Sequence, residues 1–285
     1  MFSVAFGLVI LSGLLHAVWN LFAKRSGNPV VFLWSFQWVA VLAFLPWALT
    51  AMVRHAIPIR GWEFLGVTVV LHGIYVMLLA RTYRAGDLSH VYPLMRGVSP
   101  LLVPILGISF LGEHLSGMGW VSIVGIVAGI GLLGNWRWHR HPGRSARPPT
   151  ATRLAVAVGL AITAYTVLDK VTLQYLPAVT LNDASNLGNL IALSWWAVRS
   201  GEIRAQWTHH WRTIVLGGIV SPGAYLLFLL ALRMGPVAQL APIRAIGTVF
   251  GTLLGIRVLK EPQGSRRMVA AGLITAGVIA LGIWG

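Results

Sequence analysis

The sequence predicts an all-α integral membrane protein of ten transmembrane helices arranged as two inverted five-helix repeats. Three observations point there. First, 56% of the 285 residues are hydrophobic and only 10% charged, with a mean hydropathy of +0.76. Second, ten apolar stretches are long enough to cross a bilayer. Third, the second half of the chain repeats part of the first in register. Soluble domains carry about 25% charged and about 45–50% apolar residues, so a cytosolic enzyme or a nucleic-acid binder is disfavoured despite the net charge of +15. The absence of cysteine excludes disulfides, thiolate metal sites and thiol nucleophiles. The seven acidic residues are Glu63, Asp87, Glu113, Asp169, Asp183, Glu202 and Glu261, too few and too scattered for clustered carboxylate chemistry.

A crossing needs about 20 mostly apolar residues, and stretches of that kind bounded by charge, Gly or Pro fall at ten places. The first, 2–23, has no basic segment ahead of it and is expected as a retained helix, not a cleaved signal. Ser12, His16, Trp19 and Asn20 lie along one stripe of that helix, lining a hydrated path or bonding a neighbour. The second is 30–53. In the third, 62–84, His72 and Tyr75 share a face. In the fourth, 89–111, Tyr92, Arg96 and Ser99 do so among Pro93, Pro100 and Pro104, which permit bends. His90, at its edge, is expected at the interface.

Glu113 precedes the fifth span, 118–135, and is expected to cap it. Inside that span Gly129-Ile130-Gly131-Leu132-Leu133-Gly134 matches GxGxxG, yet no strand precedes it, so a dinucleotide site is excluded. Gly125 and Gly129 instead offer a surface for close helix approach. Residues 136–153 read as a basic linker, with Arg137, Arg140, Arg144, Arg147 and Arg153 around Pro142, Pro148 and Pro149. The linker divides a first repeat, 1–135, from a second, 154–285.

The sixth span, 154–174, carries Tyr165 and Thr166, the counterparts of Trp19 and Asn20 when Lys24 is matched to Lys170. Asp169 and Lys170 follow, read as an interfacial pair in preference to a proton site. The seventh, 178–199, has a stripe of Asn182, Asn186 and Asn189, expected to pack. The eighth, 212–233, has Ser221 and Tyr225 on one face. In the ninth, 237–258, Arg244 is expected near the helix start, with Pro242 beside it. Glu261 precedes the tenth, 267–284, as Glu113 precedes the fifth.

The repeat is specific. A shift of 148 superposes Arg96 on Arg244, Glu113 on Glu261 and Gly129 on Gly277, with 12 identities in 39 ungapped positions. Apolar composition alone supplies some Leu and Gly matches, but not an Arg and a Glu at one separation. Each half holds an odd number of spans, so the copies must run in opposite directions, with a shared site expected near the midplane. Sixteen Lys and Arg fall on the face that holds the linker and four on the other. The basic face is expected to be cytoplasmic, and both termini outside.

Ionisable groups inside a crossing cost at least about 2.5 kcal/mol and normally face a cavity or a partner. Arg96 and Arg244 would aim two guanidinium groups at a shared space that favours an anionic or carboxylate-bearing solute. The alternative is that each satisfies carbonyls of a broken helix or reaches the interface.

The run from Leu14 to Lys24 containing His16, Trp19 and Asn20, the segment Pro93-Leu94-x-Arg96-Gly97-x-Ser99-Pro100 ending in Gly112-Glu113, and its echo ending in Glu261-Pro262 resemble EamA-type members of the drug/metabolite transporter superfamily. Lys260 stands where a glycine is usual. The resemblance implies a secondary carrier of a small metabolite, with a cavity lined by spans 1, 3, 4, 6, 8 and 9. Substrate-binding candidates are Arg96, Arg244, His16, Trp19, Asn20, His72, Tyr75, Tyr92, Ser99, Tyr165 and Tyr225. The expectation is a non-enzymatic carrier in the inner (plasma) membrane, a monomer or homodimer without cofactor or nucleic-acid partner, with a proton or other ion as coupling partner. The contrasting readings are a lipid-modifying membrane enzyme using His16 or His72, and a membrane scaffold with a dry interior.

Overall fold

A computed structural model of the chain describes residues 2–85, 88–133, 149–259 and 265–285. Among them there is no strand, and the helices are α1 (Phe2–Arg25), α2 (Pro29–Arg54), α3 (Ile59–Ala85), α4 (Leu88–Leu111), α5 (Gly117–Leu133), α6 (Pro149–Thr172), α7 (Ala178–Arg199), α8 (Ile203–Leu232), α9 (Val237–Ile243), α10 (Ile246–Leu259) and α11 (Ser265–Trp284). In lipid each backbone N–H and C=O must be satisfied within its own segment, which selects helices. Six of them, α1, α2, α3, α4, α6 and α8, have the length and hydropathy of membrane crossings. Apolar stretches in α5, α9–α10 and α11 are shorter. Large apolar side chains such as Leu42, Trp47, Val67, Val124, Ile191 and Ile219 stay outside the protein core, about half exposed or more. They form the belt that a bilayer would cover.

Local chemistry sets the ends. Asn28 opens α2 by accepting from the backbone N–H groups of Val30 (3.1 Å) and Val31 (3.4 Å), with Pro29 at the first helical position. Pro149 opens α6 in the same position, so 149–153, expected as linker, is helical; the rest of the expected linker to residue 148 lies outside the described residues. The eighth span begins earlier than expected, at Ile203, and kinks at His210 (φ −127°, ψ 15°) just before the apolar run starts.

The expected ninth span is two helices. Pro242 has no N–H to continue the ladder, and the chain tightens into three-residue steps: Arg244 N to Ala241 O (3.2 Å), Ala245 N to Pro242 O (2.9 Å) and Gly247 N to Arg244 O (3.1 Å). Arg244 therefore ends α9 instead of lying within the start of a continuous helix. In α4, by contrast, three prolines leave the helix unbroken.

Packing has a reciprocal pattern. α1 lies on α8 and α3 on α6; α1 lies on α10 and α4 on α6; α2 lies on α8 and α3 on α7; α2 pairs with α7 and α5 with α11. At the last crossing, a Cβ on Gly129 would sit 2.7 Å from Ile274 Cγ1 and 2.9 Å from the Ala270 carbonyl oxygen. One on Gly277 would sit 2.8 Å from both Ile126 Cγ1 and the Ser122 oxygen. Gly125, expected to share the close approach with Gly129, faces open space. The Ser12 hydroxyl donates to the Ala224 carbonyl at 2.6 Å and fastens α1 to α8, so it is glue and not cavity wall. The Asn stripe of α7 is buried, with Asn186 Nδ2 donating to the Asn182 carbonyl of its own helix at 2.8 Å.

Candidate functional site

Two adjoining clusters occupy the space among α1, α3, α4, α6, α8 and the α9–α10 break. The first is a small cavity of about 10 Å³, room for about one water molecule in this conformation, lined by His16, Arg96, Arg244, Gly247 and Thr248. The close approach of Gly13 to Gly247 brings α1 against the break: a Cβ on Gly247 would lie 3.0 Å from the Gly13 carbonyl oxygen. That crossing carries His16 to Thr248 and Arg244. Trp19, buried against Phe36 with centroids 5.8 Å apart, donates its indole N–H to His16 Nδ1 at 3.1 Å. This bond fixes His16 as the tautomer protonated at Nε2 when neutral. His16 Nε2 and Arg244 Nε are buried and have no hydrogen-bond partner among the described residues. The Arg244 guanidinium carbon lies 4.3 Å from the Phe228 ring centroid and 5.5 Å from that of Tyr225, within cation–π range.

Tyr225 leads to the second cluster. Its hydroxyl donates to Asp169 Oδ2, which also lies 3.2 Å from His72 Nε2. The Thr68 hydroxyl donates to Oδ1 of the same carboxylate at 3.2 Å. His72 stacks on Tyr165 at 4.2 Å, and Tyr75 meets Tyr165 edge-on at 5.3 Å. Asp169, Thr68, His72 and Tyr165 are all buried.

Of the sequence candidates, His16, Arg96 and Arg244 meet at the pocket, and His72, Tyr75, Tyr165 and Tyr225 meet around Asp169. Trp19 supports His16 from behind. Asn20 turns its amide to the His16 carbonyl of its own helix at 2.7 Å. Ser99 is half-buried on α4, one turn beyond Arg96. The side chains of Tyr92 and His90, and the whole of Glu261, lie outside the described residues.

Two expectations are corrected. Asp169 and Lys170 do not pair: adjacent positions on a helix point about 100° apart, and Lys170 Nζ donates to the carbonyls of Leu232 and, at 2.7 Å, Gly235. Asp169 is thus the hub of the second cluster, a place that the sequence reading did not give it. Its signal was the four-residue spacing from Tyr165, which puts both on one stripe. Glu113, expected to cap α5, caps α9 of the other half, accepting from Val237 N at 2.8 Å and Ala238 N at 2.7 Å. Gly112, at φ +65°, turns the chain after α4 and aims the carboxylate across.

Comparison with known proteins bears on the family. Residues 151–283 match the EamA-like transporter family. A curated relative from Sinorhizobium sp., described as an uncharacterized transporter in the cobO 3' region, is 38% identical over 77 residues, which is 27% of this chain and 54% of the relative. The chain thus spans about half the length of that relative. A crystal structure of a protein only 15% identical superposes with a TM-score of 0.76 over 98% of this chain and 95% of its own, a likeness of fold alone. The resemblance to EamA-type members of the drug/metabolite transporter superfamily that the sequence carries is borne out, as is the character of a multi-pass membrane protein.

Proposed function

We propose, taking the EamA-like match as premise, that this chain is a secondary carrier that moves a small solute bearing a negative group across the inner membrane by alternating access. The observation that carries the reading is the meeting of Arg96 and Arg244, one from each half, with His16 at a single pocket. Two guanidinium groups in a membrane interior are expensive, and an anion that accepts from both would offset that cost. Unused N–H capacity at Arg244 Nε, with His16 Nε2 beside it in the pocket wall, supports the same conclusion.

The ten-span inverted repeat belongs to this proposal. Exchanging residue n with n+148 turns the contact of Gly129 with Ile274 and Ala270 into that of Gly277 with Ile126 and Ser122. Such reciprocity is what a two-fold axis produces. Since the two helices cross antiparallel there, the axis would run perpendicular to them, in the membrane plane. The break at Arg244 supports alternating access, because a discontinuous helix bends at lower cost than a continuous one.

Uptake into proteoliposomes tests the carrier. Anion transport should fall by at least about tenfold in Arg96→Ala with Arg244→Ala; unchanged uptake and competition would defeat the arginine assignment. Product formation in detergent, with no gradient present, would favour a lipid-modifying enzyme instead.

A further inference from the structure

We infer that Asp169 and His72 form a proton site, a pair that takes up one proton and by doing so strengthens the hold of the Arg96–Arg244 pocket on an anion. The inference rests on the carrier reading above and names its coupling ion and where that ion sits.

Asp169 is fully buried on a membrane-crossing helix, a placement that is costly unless it is used. Three groups reach its carboxylate: the Thr68 hydroxyl, the Tyr225 hydroxyl and His72 Nε2. With His72 neutral and protonated at Nε2, all three donate and the pair carries one negative charge. One added proton leaves the pair neutral, whether it rests on the carboxylate or on His72 Nδ1. Lys170 does not pair with Asp169: its ammonium donates to the carbonyls of Leu232 and Gly235 instead.

The other titratable groups around the pair are Tyr75 from α3, Tyr165 on α6 and Tyr225 from α8, and the charged groups of the adjoining pocket are Arg96 from α4 and Arg244 from the α9–α10 break. His16 of α1 stands across the pocket. Tyr225 joins the two clusters, with its hydroxyl on Asp169 and its ring 5.5 Å from the Arg244 guanidinium.

The sign follows from charge. A deprotonated pair repels an anion held at Arg244, and a protonated pair does not. For unit charges on the order of 10 Å apart at an effective dielectric of about 20, removing the repulsion tightens anion binding about tenfold. By reciprocity a bound anion tightens proton binding by the same factor. Proton and anion therefore load together.

Infrared difference spectra of the purified protein between pH 9 and pH 5, without ligand, test the site. The wild type should show a titrating carboxyl or imidazolium signal that is missing from Asp169→Asn and altered in His72→Gln. Identical spectra for wild type and Asp169→Asn would overturn the assignment. Sulfate and acetate, which keep their charge between pH 5.5 and 8.5, test the coupling through the rise in melting temperature that they cause. Wild type should bind them about tenfold more tightly at pH 5.5, and Asp169→Asn combined with His72→Gln with no pH dependence. A pH dependence that persists in this double variant belongs to His16 and refutes the coupling. A variant-free arm uses wild type in weak buffer: sulfate binding must draw protons from solution at some pH between 5 and 9, and binding without uptake overturns the proposal. Should neither anion bind at any pH, the arginine pocket fails as an anion site, while the infrared titration still decides the proton site.

Discussion

Removing the Glu113 carboxylate should loosen the other half of the protein, not the helix that Glu113 precedes. Its two oxygens accept from the N–H groups of Val237 and Ala238 at 2.8 and 2.7 Å. Hydrogen bonds to a charged group each contribute about 1.5–3 kcal/mol. With partial compensation by water, Glu113→Ala should cost about 3 kcal/mol, or about 6–12 °C in melting temperature at the slope usual for a chain near this size. A partner substitution makes the assignment sharp. Val237→Pro deletes one of the two donors at the first helical position, where proline is tolerated, and Pro236 before it already has the extended backbone (φ −66°, ψ 139°) that a following proline requires. Thermal unfolding in detergent of the two single variants and the double variant forms a cycle. The expected coupling is about 2 kcal/mol, while the loss of Val237 packing cancels between backgrounds. A strictly additive cycle, or a Glu113→Ala cost no larger than that of the surface change Glu63→Ala, would refute the bond across the halves.

Other outcomes follow from geometry already given. Gly129→Ala and Gly277→Ala should each destabilise by about 1–3 kcal/mol, because their Cβ atoms would press on backbone oxygens of the facing helix; Gly125→Ala, with open space around it, should stabilise by up to about 1 kcal/mol, all read as melting temperature. Lys170→Met leaves the Leu232 and Gly235 carbonyls without their donor and should lower the melting temperature by an amount matching about 2 kcal/mol. A reporter fused after Gly285 should be active on the outer side of the membrane, as the 16 to 4 distribution of Lys and Arg requires; a cytoplasmic signal would reverse the orientation.

The helices were legible because lipid leaves few alternatives: apolar length with flanking charge places nearly every segment within a few residues. The break at Arg244 was only half legible. Pro242 announces a weak point, but Pro93, Pro100 and Pro104 announce the same in α4, which stays continuous. Tertiary contact makes the difference, since Gly247 lies on Gly13 at the break. Arg96, Arg244 and His16 were readable as site candidates because charge and imidazole are conspicuous in an apolar helix. Asp169 was equally conspicuous, yet the adjacent Lys170 offered a local partner, and no periodicity tells that two neighbours on a helix will serve different ones. Glu113 was assigned to the nearer helix for the same reason: sequence distance favours α5, whereas Gly112 turns the carboxylate towards α9.

Placing Arg244 at the join of α9 and α10 has a mechanical consequence. Its backbone carbonyl and N–H take part in the tight steps that set the angle between the two pieces, and its side chain sits in the pocket wall. Any swing of one piece against the other therefore displaces the cation, and any ion that pins the cation resists the swing. Under the proposed carrier reading, occupancy and bend angle would be one coordinate, with no separate lever between loading and the swing.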